Sequence, residues 1–163
     1  MNNNVTPGIV ADAQNITLQN ASAISPMRFQ LVELYIDANN AGRASFAFPT
    51  NNNLQGKRVA YIDAYNEETM SVSPQGHAVV SVADFLKSAL TLYTIKQQRL
   101  NIQELPLVAL NPYNVPGGTT PYASLRVLLN NAQTDWNKSE VTLGSNLAAG
   151  DFSFMFGVYY FDL

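Results

Sequence analysis

A chain of 163 residues fits one domain able to bury about two thirds of its unfolded surface. Without cysteine it can hold neither a disulfide framework nor a thiolate metal site. Charged residues are 13% of the chain, against about 25% in ordinary soluble domains, and the net charge of −3 argues against broad phosphate contact.

Residues 1 to 27 are polar and carry Pro7, Gly8 and Pro26 over a weak apolar pattern of Ile16, Leu18 and Ile24. They read as an extended N-terminal arm preceding a domain over 28 to 163, with plain disorder as the bland reading of the first dozen residues. The opening MNNNVTPGIVADAQ lacks a basic n-region and an apolar h-region, and no run of about 18 apolar residues follows anywhere, so neither a secretion signal nor a membrane span is expected.

From Phe29 short apolar stretches alternate with Gly, Pro and Asn, the pattern of strands and turns. FQLVELYI (29 to 36) places Gln30, Val32, Leu34 and Ile36 on its better core face. RASFAF (43 to 48) follows a turn at Asn39, Asn40 and Gly42. KRVAYIDAY (57 to 65) alternates again, with Val59, Tyr61, Asp63 and Tyr65 sharing a face. HAVVSV (77 to 82) reads as a strand, and Val82, Phe85, Leu86 and Ala89 have the spacing of one short helix. LTLYTI (90 to 95), KQQR and LNI (100 to 102) read as a hairpin, and LPLVAL (105 to 110) as an edge strand continuing past Pro106.

NPYNVPGGTTP (111 to 121) is a long loop, SLRVLLN (124 to 130) a further strand, and a loop carries Trp136 before a short strand at EVTL (140 to 143). In FSFMFGVYYF (152 to 161) Phe152, Phe154, Phe156 and Val158 fall on one face and Met155, Tyr159 and Phe161 on the other. A strand apolar on both sides is a central one whose outer face meets the arm, a loop or a neighbouring subunit. About eight strands with connections too short for crossover helices predict an all-β, antiparallel two-sheet sandwich, a single jelly roll. Few charges and 18 asparagines suggest surfaces that face other protein.

The arm through Ser25, FQLVELYI, KRVAYIDAY, LTLYTIKQQRLNIQELPLVALNP and DFSFMFGVYYFDL together resemble the single jelly-roll capsid proteins of icosahedral viruses, most of all the vertex (penton) or minor capsid proteins of tailless, membrane-containing bacteriophages. The resemblance implies two four-stranded sheets, a subunit acting by assembly as a homopentamer and with other capsid proteins, contact with a spike protein or an internal viral membrane, and residence in the virion after synthesis in the host cytoplasm. It brings no catalytic residues and no cofactor. Residues 1 to 27 hold no Lys or Arg, which sets this chain apart from capsid proteins whose basic arms package the genome, so direct nucleic-acid binding is not expected. The assembly residues expected are Ile16, Leu18 and Ile24 in the arm, Tyr113 and Tyr122 in loops, and Tyr159, Phe161 and Leu163 at the end.

The competing reading is a carbohydrate-binding β-sandwich for host recognition. Tyr61, Asp63 and Tyr65 on one strand face could stack and hydrogen-bond a sugar, with Trp136 as a loop platform; the plainer account is cross-strand aromatic pairing and a loop anchor. No enzyme is predicted. His77, the only histidine, reads as a solvated turn residue, and the adjacent Glu67 and Glu68 as solvated charges rather than an acid/base pair. Gly117 and Gly118 lack the strand and helix that a phosphate cradle needs. The sequons at Asn15, Asn20 and Asn137 are what frequent Asn, Ser and Thr produce by chance.

Overall fold

The computed structural model describes residues 26 to 95, 102 to 112 and 133 to 162. Seven strands follow one another there: β1 (Met27–Ile36), β2 (Ser45–Ala47), β3 (Arg58–Tyr65), β4 (Ser88–Thr94), β5 (Ile102–Pro106), β6 (Thr134–Leu143) and β7 (Phe152–Phe161). They form two sheets, β1-β7-β3 and β2-β6-β4-β5, and every ladder is antiparallel. The chain is an all-β antiparallel sandwich, as its alternating texture predicts. The expected strand at 124 to 130 and the turn KQQR lie outside the described residues.

Register explains the packing. Ile36, Leu34 and Val32 stand opposite Phe152, Phe154 and Phe156, so the inner face of β1 is the predicted one. On β3, Ile62 and Ala64 face inward opposite Val158 and Phe156. The second sheet answers with Phe46, Leu90, Leu92, Trp136 and Val141, all buried. Phe48 joins the two layers, its ring 4.5 Å from that of Trp136 and 5.3 Å from that of Phe156. β7 is the central strand of its sheet and is apolar on both faces, which agrees with the sequence reading.

Several expectations are corrected. In β3 a bulge between Val59 and Tyr61 puts Val59 on the inner face, opposite Tyr160, while Tyr61, Asp63 and Tyr65 point outward. The stretch 77 to 82 forms only isolated bridges, Val72 to Ala78 and Val79 to Ser153. The helix is a single turn, α1 (Val82–Phe85), capped by the Ser81 hydroxyl accepting from the Asp84 amide. It stops there because Ala89 already belongs to β4, while Leu86 projects into solvent at 57% exposure. Past Pro106 the edge strand gives way to a 3-10 turn over Leu107–Leu110, which turns Leu107 and Leu110, three apart, into the core.

Trp136 is not in a loop. It lies in β6, a ten-residue inner strand of the four-stranded sheet, and is 0% exposed. Thr91 pairs with Glu140 and Tyr93 with Asp135, so Leu92 alone spans Trp136 to Ser139 across a wide bulge. Side chains hold that bulge: the Ser139 hydroxyl donates to the Asp135 carbonyl and accepts from the Tyr93 amide, and the Asn137 amide donates to Gln55 Oε1.

Candidate functional site

Because paired residues of antiparallel strands share a face, the outer side of the three-stranded sheet can be read row by row. From one end the rows are Tyr35 and Ser153; Glu33, Met155 and Tyr65; Leu31, Gly157 and Asp63; Phe29, Tyr159 and Tyr61; and Met27, Phe161 and Arg58. Five of the predicted site residues, Tyr61, Asp63, Tyr65, Tyr159 and Phe161, converge on this one face. Ile16, Leu18, Ile24, Tyr113, Tyr122 and Leu163 lie outside the described residues.

The aromatic end is a ladder. The Tyr159 ring sits between Phe29, centroids 4.9 Å apart, and Tyr61, stacked at 4.2 Å with the planes inclined by 29°. Gly157 is part of this surface: a Cβ there would come within 2.9 Å of both the Phe29 ring and the Tyr65 hydroxyl, which lean over the backbone. Phe29 is 53% exposed and Met27 48%, while Asp63, in the next row, is 2% exposed. Ions border this end. Asp162 pairs with Arg28 and, at 3.1 Å, with Lys57; chiefly through the Lys57 bond, its carboxyl is held below the usual range.

The opposite end is polar and covered. Ser73, Pro74 and Gly76 form a tight turn in which the Gly76 amide donates to the Ser73 carbonyl and Gly76 takes φ 91, open to glycine at little cost. The backbones of Ala78 and Val80 bond that of Ser153 at 2.8 and 2.9 Å. Meanwhile His77 Nδ1 donates to Glu33 Oε1 at 2.7 Å, and its ring stacks on Tyr35 at 3.9 Å and 14°. The tip 73 to 77 is therefore a strap lying across β7. Ser153 Oγ donates to the same Glu33 oxygen, and Tyr35 Oη donates to Asp151 at 3.0 Å, which raises the tyrosine's pKa. A groove of about 420 Å³ runs beside the strap, lined by Tyr35, His77, Gln75, Ala47 and Pro49 among others.

His77 is thus tethered rather than simply solvated, with its side chain 33% exposed. Ser153 does not complete a nucleophilic triad with it, because the hydroxyl bonds the carboxylate and not the imidazole. Glu67 and Glu68 are exposed, and Glu67 accepts from the Val82 amide at the start of α1. Trp136, buried in the core, is separated from the three outward residues that the carbohydrate reading joined to it.

Burial acts to raise the Glu33 carboxyl; hydrogen bonds from Ser153, His77 and Ser73, with the charge of His77, outweigh it and leave the pKa lowered from 4.5. A carboxyl lowered in the fold stabilises it fully above its unfolded value, and that contribution is lost as pH falls through the lowered one. Urea unfolding of the native chain is expected to weaken between pH 5 and 3 more steeply than that of Glu33→Gln. Parallel acid limbs in the two proteins would count against this role.

Comparison with protein-family models, with curated proteins and with solved structures finds no match for this chain.

Proposed function

We propose that this chain is a structural subunit of an icosahedral viral capsid, a single jelly roll at the vertex (penton) or in another minor position, made in the host cytoplasm and incorporated into the virion. It works by assembly, as a homopentamer in contact with other capsid proteins. The observation that carries the reading is the aromatic end of the outer face, where Met27, Phe29, Tyr61, Tyr159 and Phe161 form an apolar ladder reaching solvent in a chain of few charges. Nested pairing supports the jelly roll: first strand with last, second with next to last, β4 with β5, as in one long hairpin folded over on itself. Such a fold would carry one more strand beside β3, which is not among the described residues.

The carbohydrate alternative has less support, since Trp136 is in the core, Asp63 is covered and Tyr61 already stacks on Tyr159. Native mass spectrometry of the full chain is expected to give a fivefold mass. Introducing Met27→Glu with Phe29→Glu, both at exposed positions, should weaken self-association at least about tenfold by desolvating new charge, with circular dichroism unchanged. A native chain that stays monomeric at high concentration would overturn the proposal.

A further inference from the structure

Of the five exposed large apolar side chains among the described residues, three stand on one strand: Met27, Phe29 and Tyr35 of β1. That strand is also outermost in its sheet, since β7 pairs along one side of it and no described strand pairs along the other. An open edge offers a row of backbone donors and acceptors to a further strand, and folded chains blunt such edges with shortness, proline, charge or a bulge. The other edges are blunted. β2 has only three residues, and β3 is bulged between Val59 and Tyr61. β5 has five residues, ends in Pro106 and is bent where Glu104 takes φ 50 beside the Leu90 to Leu92 register shift. β1 instead runs ten residues in unbroken register, and its two charges are already engaged, Arg28 with Asp162 and Glu33 with His77. Beside it the groove of about 420 Å³ at Tyr35, Ala47 and Pro49 leaves room on the open side.

From this edge we infer that β1 pairs antiparallel with β1 of a second copy about a twofold axis at Val32, joining their three-stranded sheets into one continuous sheet. A twofold axis normal to the sheet carries outer face onto outer face, so outward residues must meet outward residues. Two registers overlap nearly the whole strand. Centring on Val32 sets Phe29 of each copy opposite Tyr35 of the other, which joins four exposed rings in two cross-strand pairs. Centring on Leu31 would set Phe29 against the Glu33 carboxylate. Charge agrees with the antiparallel sense. The end of the face at Met27 carries Arg28, Lys57 and Arg58 against the single anion Asp162, whereas the end at Ile36 carries Asp37 and Asp151. Pairing head to tail brings these opposite signs together. A twofold contact cannot close a ring of five, so this pairing is separate from the fivefold assembly proposed above and does not rest on it.

The chain has no cysteine, so an introduced disulfide reads the register directly. Facing residues of an antiparallel pair have Cα atoms about 4.5–5.5 Å apart, within the span of a disulfide. Full-length Phe29→Cys and Tyr35→Cys chains, mixed in equal amounts and oxidised with glutathione disulfide, should give at least about tenfold more cross-linked dimer on non-reducing gels than either variant alone. Both positions are exposed, so circular dichroism should match that of the native chain. No excess in the mixture, or as much dimer from one variant alone, would overturn the pairing. Tyr35→Lys tests it with no cysteine present. Its cation would lie beside Arg28 of the second copy and should weaken the dimer step in sedimentation equilibrium about tenfold, leaving a fivefold step as it was. An unchanged dimer step would also overturn the pairing. A fivefold mass without the cross-link would sink the pairing alone; the cross-link without a fivefold mass would count against the ring alone.

Discussion

Replacing Trp136 with alanine is expected to destabilise the fold by about 3–5 kcal/mol, the range for losing a large aromatic from a close-packed interior. For a domain near this size that lowers Tm by roughly 10 °C. The indole is fully buried, and its removal also strips Phe48 of the ring that links the two sheets. A second substitution separates volume from polarity. Among the described residues the indole N–H has no hydrogen-bond partner, so Trp136→Phe gives up packing but no bond, and is expected to cost less than half as much. Urea titration followed by circular dichroism reads both. A loss under about 1 kcal/mol for the alanine variant would contradict the burial. In the native protein the same burial predicts blue-shifted tryptophan emission that added sugars leave unchanged.

What the sequence disclosed, and what it hid, follows from how far each signal travels along the chain. β1 and β7 were legible because their alternation is clean and unbroken, so the faces of Val32, Leu34 and Ile36, and of Phe154, Phe156 and Val158, could be assigned from period alone. β6 was not. Its buried positions include Thr134 and Ser139, which do not read as core, and the bulge sets Trp136 and Ser139 three apart, breaking the period of two in the middle of the strand. The bulge in β3 similarly misassigned Val59 while leaving Tyr61, Asp63 and Tyr65 in phase. Of the outer face, the sequence marks Tyr61, Asp63 and Tyr65 by their shared strand face and Tyr159 and Phe161 by their place at the apolar end; their convergence depends on β7 lying between β1 and β3. Glu33 and His77 are 44 residues apart and meet only because the strap doubles back over β7, so no local pattern could have paired them.

Ending the chain after Gly157 is expected to abolish cooperative folding, whereas ending it after Phe161 is expected to leave the fold intact. The difference lies in what the intervening residues hold. Val158 and Tyr160 are buried on the inner face, and the stretch 158 to 161 pairs with β1 on one side and with β3 on the other. Losing it removes those two side chains and also bares Val59 and Ile62, now fully buried, where they faced Tyr160 and Val158. At about 1.5–3 kcal/mol for each large apolar side chain exposed, the sum passes 5 kcal/mol and meets the 5–15 kcal/mol that a whole domain has in reserve. Removing only the last two residues takes away the ion pairs of Asp162 with Arg28 and Lys57, which are screened at the surface and contribute little. Thermal unfolding of both truncated chains decides the matter. A sharp transition in the shorter one would mean that β1 and β3 hold together without residues 158 to 161 of the strand between them, and the row-by-row account of the outer face would fail with it.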